Sequence, residues 1–306
     1  MKEEGSVAAS ALSLLLPPSS VLRQHEPLAK RTTLRVGGPA DVYVEPASEA
    51  GLAATLRFCG EQGLPFFVLG RGSNLLVRDG GFRGVVICLA HPEFSRIEVA
   101  GGRLRCGAGA KLKAVAGEAK RHDLAGLEFL EGIPGSVGGA LRMNAGAMGG
   151  WVFDVVESVR GMDFSGQVQE WNRADVVVEY RGCPLFRRHL ALGAVLRGQP
   201  GDRAEIERRM GEFSRKRWAS QPAAPSAGCI FKNPAAIAAG QLIDELGLKG
   251  ARVGGAMVSL EHGNFLVTDG TATAADVLAL IEIIRAKARS ERGIELETEV
   301  EIIGES

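Results

Sequence analysis

The sequence predicts an α+β fold built from two parts. Strand-like and helix-like segments are mixed along the 306 residues without the strict alternation that is typical of a doubly wound sheet. An apolar fraction of 45% and a charged fraction of 24% are ordinary for a globular protein. Residues 198–202 (GQPGD) mark a break in composition, and we place a domain boundary there.

The first part is predicted to consist of short strands and two helices. Residues 41–46 alternate like a strand, and Ser48 then opens a helix over 50–62 that Gly63 closes. A hairpin is expected about Gly101 and Gly102. The second helix covers 111–122, and the remaining strands are predicted over 64–69, 75–78, 84–89, 97–100, 103–106, 155–162, 167–171 and 191–196.

The second part begins with a charged helix over 203–218. Further helices are predicted over 240–246 and 273–289, and a strand that alternates in polarity is predicted over 293–304. We therefore divide the chain into an N-terminal leader (1–31) with one short helix, a first domain (32–198) and a C-terminal domain (199–306). Two subdomains, about 32–92 and 93–198, are expected within the first domain.

Two glycine-rich segments are the most informative features. Residues 132–150 contain seven glycines in nineteen positions, and 70–74 (GRGSN) form a shorter segment upstream. Backbone N–H groups in glycine-rich turns form concave sites for anions. Because Ile133, Pro134 and Val137 lie between the glycines, the longer segment differs from a flexible polar linker. The shorter segment alone is equally typical of a tight turn between strands. Together they indicate a cofactor with a diphosphate.

The common nucleotide-binding motifs do not match. Gly107 and Gly109 start a dinucleotide fingerprint, but position 112 is leucine, and no Walker A sequence is present. A plain dehydrogenase and a P-loop enzyme are therefore disfavoured.

Composition excludes several other classes. The net charge is zero, with 36 acidic and 36 basic residues, which argues against a chain that coats nucleic acid. The five cysteines lack a C-x-x-C pair and the five histidines are scattered, so we expect no disulfide framework and no metal site. We find neither a secretory signal nor a stretch that is long enough to span a membrane, and we expect a cytoplasmic protein.

Six motifs follow one another along the chain: 33–41 (TLRVGGPAD), 69–77 (LGRGSNLLV), 132–140 (GIPGSVGGA) with 144–146, Tyr180-Arg181, 226–234 (SAGCIFKNP) and 293–304. Together they resemble the UDP-N-acetylenolpyruvoylglucosamine reductase family, in the shorter type that lacks an extra substrate-binding insertion. The resemblance runs from about residue 32 to 304.

The resemblance implies an FAD-binding unit of the vanillyl-alcohol-oxidase type with two subdomains, followed by a smaller domain that binds the UDP-sugar. FAD is held without a covalent bond. The implied cofactor-binding residues are Gly37, Gly70, Arg71, Gly72, Ser73, Asn74, Leu75, Pro134, Gly135, Ser136, Gly138, Gly139, Asn144 and Gly146.

The implied reaction has two halves. NADPH reduces FAD, and hydride then passes to the methylene carbon of UDP-N-acetylglucosamine enolpyruvate, which yields UDP-N-acetylmuramate for peptidoglycan synthesis. Arg181 would bind the substrate carboxylate, and Glu299 would assist from the other side. Cys229 stands where the family often has serine, the proton donor. Lys232, Asn233 and His262 are implied substrate contacts, with Lys216, Arg217 and Asn264 as further candidates.

Two alternatives remain open at this point. Another flavoenzyme with the same FAD-binding architecture, such as an alcohol or lactone oxidase, is disfavoured because neither glycine segment contains the histidine that often tethers the flavin. A protein that binds the nucleotide without catalysis would show no turnover with bound FAD.

Overall fold

The computed structural model describes residues 2–306, so Met1 of the predicted leader lies outside the described residues. Helices and strands are mixed along this part of the chain. The helices are α1 (Lys2–Leu15), α2 (Glu49–Glu61), α3 (Leu112–Arg121), α4 (Val137–Met143), α5 (Val152–Val155), α6 (Arg203–Ser220), α7 (Ala239–Glu245) and α8 (Ala274–Arg292). Short 3-10 helices cover Leu28–Arg31, Pro92–Ser95, Glu128–Gly132, Arg173–Asp175 and Pro184–Arg187.

The strands are mostly short. They are β1 (Val21–Pro27), β2 (Pro39–Glu45), β3 (Phe66–Leu69), β4 (Leu75–Val77), β5 (Phe82–Cys88), β6 (Ile97–Ala100), β7 (Arg103–Gly107), β8 (Leu124–Ala125), β9 (Gly146–Ala147), β10 (Gly150–Trp151), β11 (Val156–Asp163), β12 (Val168–Asn172), β13 (His189–Arg197), β14 (Gln199–Pro200), β15 (Ser226–Cys229), β16 (Arg252–Val253), β17 (Ala256–Val258), β18 (Phe265–Thr268) and β19 (Glu301–Ile303).

The chain forms two compact units that are not simple halves of the sequence. Unit 1 contains the residues up to Gln24 together with Val42–Arg71 and Gly84–Arg217. Unit 2 contains His25–Asp41, Gly72–Arg83 and Trp218–Ser306. The predicted domain boundary at residue 198 stays a prediction, since it concerns a linear division and the compact units are assembled from separate stretches.

Unit 1 contains strand β3 and most of β1, β2 and β5, which form a sheet in the order β1-β2-β5-β3. It also contains an antiparallel sheet in the order β12-β11-β13-β7-β6. Helix α3 covers a core beside the second sheet, because its apolar residues recur on one face: Leu112, Val115, Ala116 and Ala119 are all buried. Helices α1 and α2 contribute to a second core, into which α1 buries Ala8, Ala9 and Leu12.

Unit 2 is built on the antiparallel sheet β15-β18-β17-β16 and the parallel pair β4-β19. Its core is formed by α7, α8 and this sheet, together with Leu34, Val36 and Leu76. Helix α8 begins at a capping box, in which the Thr273 hydroxyl accepts the N–H of Asp276, and it ends at Gly293 in the left-handed region.

Most predicted elements are confirmed. The α2 helix is capped by Ser48, whose hydroxyl accepts the N–H of Gly51 at 3.1 Å. The predicted hairpin about Gly101 and Gly102 is the antiparallel pair β6-β7. The helices predicted in both parts appear as α3, α6, α7 and α8 with ends shifted by a few residues.

Two predictions of local structure are wrong, and helix α4 was not predicted. This helix lies in the glycine-rich segment 132–150, in which Val137, Ala140 and Leu141 supply a buried face. The strand predicted over 293–304 is reduced to β19 (Glu301–Ile303). The residues before it, 297–300, instead form irregular backbone hydrogen bonds with residues 230–232. Residues 1–30 hold more than one short helix, since α1 is followed by strand β1.

The start of α8 depends on a second carboxylate. Asp79 accepts the N–H groups of Ala274 and Ala275 at 2.8 and 2.9 Å, and these groups have no partner within a helix. We expect Asp79→Ala to lower the free energy of unfolding by about 1–2 kcal/mol, the cost of losing a helix cap. Asp79→Asn keeps one acceptor and should lose less. Urea unfolding followed by circular dichroism measures both variants, and equal stability of Asp79→Ala and wild type would contradict this role.

Candidate active site

The two glycine-rich segments meet at Ser136 in unit 1. The Ser136 hydroxyl accepts the N–H of Gly139 at 3.5 Å, and a Cβ atom added at Gly70 would lie 3.2 Å from this oxygen. Ser136 itself is buried, whereas Gly70 and Gly139 are exposed. A Cβ at Gly139 would meet only the same hydroxyl, at 3.7 Å. At Gly139 the backbone is therefore open to a ligand, as a phosphate site made of main-chain groups requires.

Other predicted cofactor glycines serve close packing within their own units. In unit 2, a Cβ at Gly72 would lie 2.3 Å from the Arg31 carbonyl oxygen, and one at Gly37 would lie 2.6 Å from Val77. In unit 1, the nitrogen of Gly138 donates to the Ala108 carbonyl at 2.8 Å. Such approaches leave no room for a side chain, so packing alone explains why these positions are glycine.

The two asparagines of the predicted cofactor site hold main-chain segments. The side-chain amide of Asn74 donates to the carbonyl of Glu299 at 3.1 Å within unit 2. Asn144 ends α4 with a left-handed backbone (φ 40°), and its amide donates to the carbonyl of Glu179 at 3.3 Å within unit 1. Each amide fixes a stretch that carries a predicted catalytic residue.

The remaining predicted cofactor residues flank these positions. Arg71 is exposed next to Gly70, Ser73 is half-buried, and Leu75 is buried where β4 pairs with β19. The carbonyl of Gly135 accepts from the nitrogen of Leu112 at 3.2 Å. Pro134 is exposed in the same loop. Nothing in these contacts contradicts a cofactor role, which stays a prediction for all fourteen residues.

Arg181 lies in a tight turn of unit 1. Its backbone is left-handed (φ 57°), and Glu179 and Gly182 form an antiparallel bridge on either side of it. The turn is tied to the end of α4, since Cys183 donates from its nitrogen to the carbonyl of Arg142 at 3.0 Å. Arg181 is half-buried, so a permanently charged guanidinium is presented from a rigid turn.

Cys229 is set apart from the other cysteines. Cys59, Cys88, Cys106 and Cys183 are buried, and burial raises the pKa of the Cys59, Cys106 and Cys183 thiols, to about 11 for Cys59, which disfavours their reactive thiolate forms. Cys229 is half-buried. Its strand β15 carries a register irregularity against β18 with Gly228 at a positive φ of 76°, and irregularities of this kind re-aim neighbouring side chains.

Glu299 lies beside the Cys229 segment in unit 2. Its nitrogen donates to the carbonyl of Ile230 at 2.8 Å, which places Glu299 next to the residue that follows Cys229. Glu299 is half-buried, whereas Glu295 and Glu297 are exposed and pair with Arg289 and Lys232. The structure therefore brings Cys229 and Glu299 together, while Arg181 belongs to unit 1.

The predicted substrate contacts differ in how their polar atoms are engaged. The Lys232 ammonium lies 3.0 Å from Glu297 on an exposed surface, an ion pair that contributes little to stability. Asn233 accepts the N–H of Ala239 at 3.0 Å and caps the start of α7. His262 is half-buried, and its Nδ1 accepts the N–H of Asn264 at 3.1 Å.

Two of the further candidates have structural roles. Asn264 is buried, and its amide both accepts from and donates to the backbone of Phe231, at 2.9 and 2.8 Å. This corrects its expected contact with substrate, since both of its polar atoms face inward. Arg217 donates to the carbonyl of Gly132, and burial lowers the pKa of this guanidinium. This hydrogen bond holds the start of the glycine-rich segment 132–150. Lys216 is exposed nearby.

Trp151, which no sequence motif indicates, lies next to both Gly146 and Arg181. A Cβ at Gly146 would lie 2.5 Å from the indole ring, and the Arg181 guanidinium carbon lies 5.4 Å from the ring centroid. The signal was an aromatic residue directly after the glycine-rich segment, which is too common a pattern to single out. Only the β9-β10 pairing, Trp151 against Gly146, brings the ring to the site.

Membrane and metal sites were also assessed in the part of the chain that the structure describes. Within residues 2–306, none of the helices combines the length and apolar character needed to cross a bilayer. Over the same residues, His, Cys, Asp and Glu side chains form no group of three or more that could hold a metal ion.

Comparison with known proteins gives consistent matches. A family model described as the C-terminal domain of UDP-N-acetylenolpyruvoylglucosamine reductase matches residues 221–303, and one described as an FAD binding domain matches 40–172. The reductase of Heliobacterium modesticaldum is 46% identical over 92% of this chain and 91% of the relative. That of Geobacter metallireducens is 47% identical over 92% and 93%. The crystal structure of the Thermus caldophilus enzyme is 40% identical, with a TM-score of 0.80, and covers 92% of this chain and 98% of that chain.

The protonation of His262 makes the stability of the protein depend on pH. Burial and the nearby Lys249 lower the pKa of His262, so the folded protein binds this proton less readily than the unfolded chain, whose histidine pKa is about 6.5. The free energy of unfolding should therefore fall as the pH drops below about 6.5, and it should level off below the lowered pKa of the folded state. The total decrease is about 1.4 kcal/mol for each pH unit that separates the folded and unfolded pKa values.

His262→Asn tests this link, because it keeps an acceptor for the Asn264 N–H and removes the titrating ring. We expect its stability to depend less steeply on pH between about 6.5 and 5 than that of the wild type. Urea unfolding at several pH values measures both slopes. Identical slopes would show that His262 is not the group responsible.

Proposed function

Since this chain belongs to the UDP-N-acetylenolpyruvoylglucosamine reductase family, we propose that Arg181, Cys229 and Glu299 carry out the second half of its reaction. The chain is a flavin oxidoreductase that reduces UDP-N-acetylglucosamine enolpyruvate with FAD in peptidoglycan synthesis. Its fold is an FAD binding domain followed by the C-terminal domain of this family. The observation that carries the proposal is the half-buried Cys229 beside Glu299 within one unit.

The residues around Ser136 fit the cofactor. Gly139 leaves its backbone open, Gly70 is exposed on the other side of Ser136, and FAD carries a diphosphate that suits such a main-chain cradle. When bound, FAD supplies the hydride chemistry that no side chain can supply. Gly70, Ser136 and Gly139 would hold the diphosphate, and the glycines that serve close packing would keep these loops in position.

Arg181 would bind the substrate carboxylate. A planar guanidinium matches a carboxylate in a two-point hydrogen-bonded pair, and its charge stabilises the enolate-like charge that develops on this group during reduction. The rigid turn at 179–182 supports this role, since preorganised charge requires no rearrangement during the reaction.

Cys229 would deliver the proton that completes the reduction. Hydride adds to the methylene carbon of the enolpyruvyl group, and the neighbouring carbon then takes the proton from the thiol. A thiol ordinarily has a pKa of about 8.5, so it is protonated at neutral pH and is a stronger acid than a serine hydroxyl. Glu299, held next to this segment by Ile230 and Asn74, would assist from the opposite side of the substrate.

The UDP part of the substrate would be bound in unit 2. The exposed pair between Lys232 and Glu297 is weak enough for a substrate phosphate to replace the carboxylate. Asn233 and His262 lie in the same unit and would contact the sugar or the base. NADPH is the proposed hydride donor. The five free cysteines support a reducing compartment such as the cytoplasm, and the neutral net charge supports the absence of a nucleic-acid partner.

Gly139→Ala tests the proposed cradle. Position 139 is an exposed helical site, so alanine should leave the free energy of unfolding unchanged or raise it by up to about 1 kcal/mol. The methyl group would nevertheless keep the diphosphate away, and we expect FAD affinity to fall by about tenfold or more, equivalent to 1.4 kcal/mol. Fluorescence titration of apoprotein with FAD measures this.

Gly138→Ala provides the matched comparison. A Cβ at Gly138 would lie 3.0 Å from the Cβ of Ala108, so this neighbouring substitution should lower stability through crowding. Unchanged FAD affinity in Gly139→Ala would contradict the proposed cradle.

Cys229→Ala tests the proton donor by separating the half-reactions. Flavin reduction by NADPH should proceed as in the wild type, whereas reoxidation by UDP-N-acetylglucosamine enolpyruvate should slow by about 10²-fold or more, the usual contribution of a general acid. Cys229→Ser should retain activity, which controls for the volume of the side chain. Stopped-flow absorbance of the flavin follows both steps. Normal reoxidation in Cys229→Ala would exclude this role.

A further inference from the structure

The guanidinium of Arg181 lies against a pair of neighbouring aromatic rings in unit 1. Its central carbon is 5.4 Å from the ring centroid of Trp151 and 5.4 Å from that of Tyr180. The two rings contact each other edge to face, with centroids 6.0 Å apart and an interplanar angle of 72°. Both distances from the cation fall within the range of about 6 Å over which a ring face attracts a cation.

Of the two rings, Trp151 is the better fixed. Tyr180 is 53% exposed and belongs to the same turn as Arg181, so it moves with that turn. Trp151 is half-buried and comes from a different segment. The backbone nitrogen of Trp151 donates to the Asp154 carboxylate at 2.8 Å, and the backbone of Trp151 pairs with Gly146 across β9 and β10. The indole therefore provides a reference point outside the turn.

Gly146 provides the space that the indole occupies. A Cβ atom at this position would lie 2.5 Å from one ring carbon and 2.8 Å from another, distances that real side chains do not adopt. An alanine here would push the indole out of its place. The ring of Trp151 therefore explains why residue 146, a predicted cofactor residue, is glycine.

We propose that Trp151 is a positioning residue, which orients the Arg181 guanidinium toward the substrate carboxylate, and that Gly146 is glycine in order to admit its ring. An arginine side chain samples many rotamers, and this freedom must be restricted before the guanidinium can bind a carboxylate in a two-point geometry. The rings of Trp151 and Tyr180 restrict the guanidinium in advance. This inference rests on the proposed role of Arg181.

Trp151→Leu removes the ring while it keeps an apolar side chain. We expect the rate of flavin reoxidation by the substrate to fall by about five- to thirty-fold, the factor that corresponds to a partly desolvated cation–π contact. The dissociation constant of the substrate, measured by calorimetry, should rise in parallel. Flavin reduction by NADPH and the FAD content should stay at wild-type values. Gly146→Ala should change the same two quantities in the same direction, and Trp151→Phe, which keeps a ring face, should restore most of the rate.

Trp171→Leu is the matched control. Trp171 is also half-buried in unit 1, lies over a glycine on a neighbouring strand (3.1 Å from a Cβ at Gly161), and contacts an aromatic ring, that of His189, at 4.9 Å. The Trp171→Leu substitution should lower the free energy of unfolding without a specific decrease in the rate of flavin reoxidation by the substrate. An equal loss in Trp171→Leu, or wild-type reoxidation in Trp151→Leu, would overturn the proposal.

Arg181→Lys separates this proposal from the proposed function. If Arg181→Lys reoxidises normally, the role of Arg181 itself fails. If Arg181→Lys is slow and Trp151→Leu is normal, only the positioning role fails. When both roles hold, the variant that combines Arg181→Lys with Trp151→Leu should reoxidise its flavin scarcely more slowly than Arg181→Lys alone, because the ring of Trp151 acts through the guanidinium.

Discussion

Close approach of one backbone segment to another shapes both compact units of this protein. At Gly72 the chain passes so near the Arg31 carbonyl that a Cβ would lie 2.3 Å from it. At Gly138 the α4 helix is hydrogen-bonded directly to Ala108. Loops held at such distances cannot carry side chains between them, and they are rigid for the same reason. A rigid main chain can then offer its N–H groups to an anion, which a flexible glycine-rich loop cannot do.

Polar side chains complete this framework. Asn74, Asn144 and Asn264 each carry a side-chain amide, the kind of group that is often expected to bind a ligand, and each uses it on a main-chain carbonyl of its own unit. The segments that they hold contain Glu299, the Arg181 turn and the residues after Cys229. The amide of Asn264 is buried, and because a buried amide without a partner is costly, its two bonds to Phe231 define the path of the chain there. The asparagines thus contribute to the proposed chemistry through the backbone that they support.

Aromatic side chains contribute in a similar, indirect way. Trp151 occupies the space above Gly146 and contacts the guanidinium of Arg181, so a glycine, a ring and a charge form one continuous contact within unit 1. In unit 2, the half-buried Cys229 follows a strand irregularity that includes Gly228, and the irregular segment before β19 brings Glu299 to its side. Each proposed catalytic side chain therefore depends on a local departure from regular structure.

The amino-acid sequence by itself determined the α+β class, most helices and strands, the family and the cofactor class. These follow from apolar periodicity, from caps such as Ser48 and from ordered motifs, all of which are local properties of the chain. Only the tertiary structure decided which glycines lie open and which admit a neighbour, that Asn264 faces inward, that residues 293–300 lack a regular strand, and that Trp151 reaches Arg181. Each of these depends on residues that are distant in sequence or on the pairing of two short strands, and local sequence patterns contain no record of such contacts.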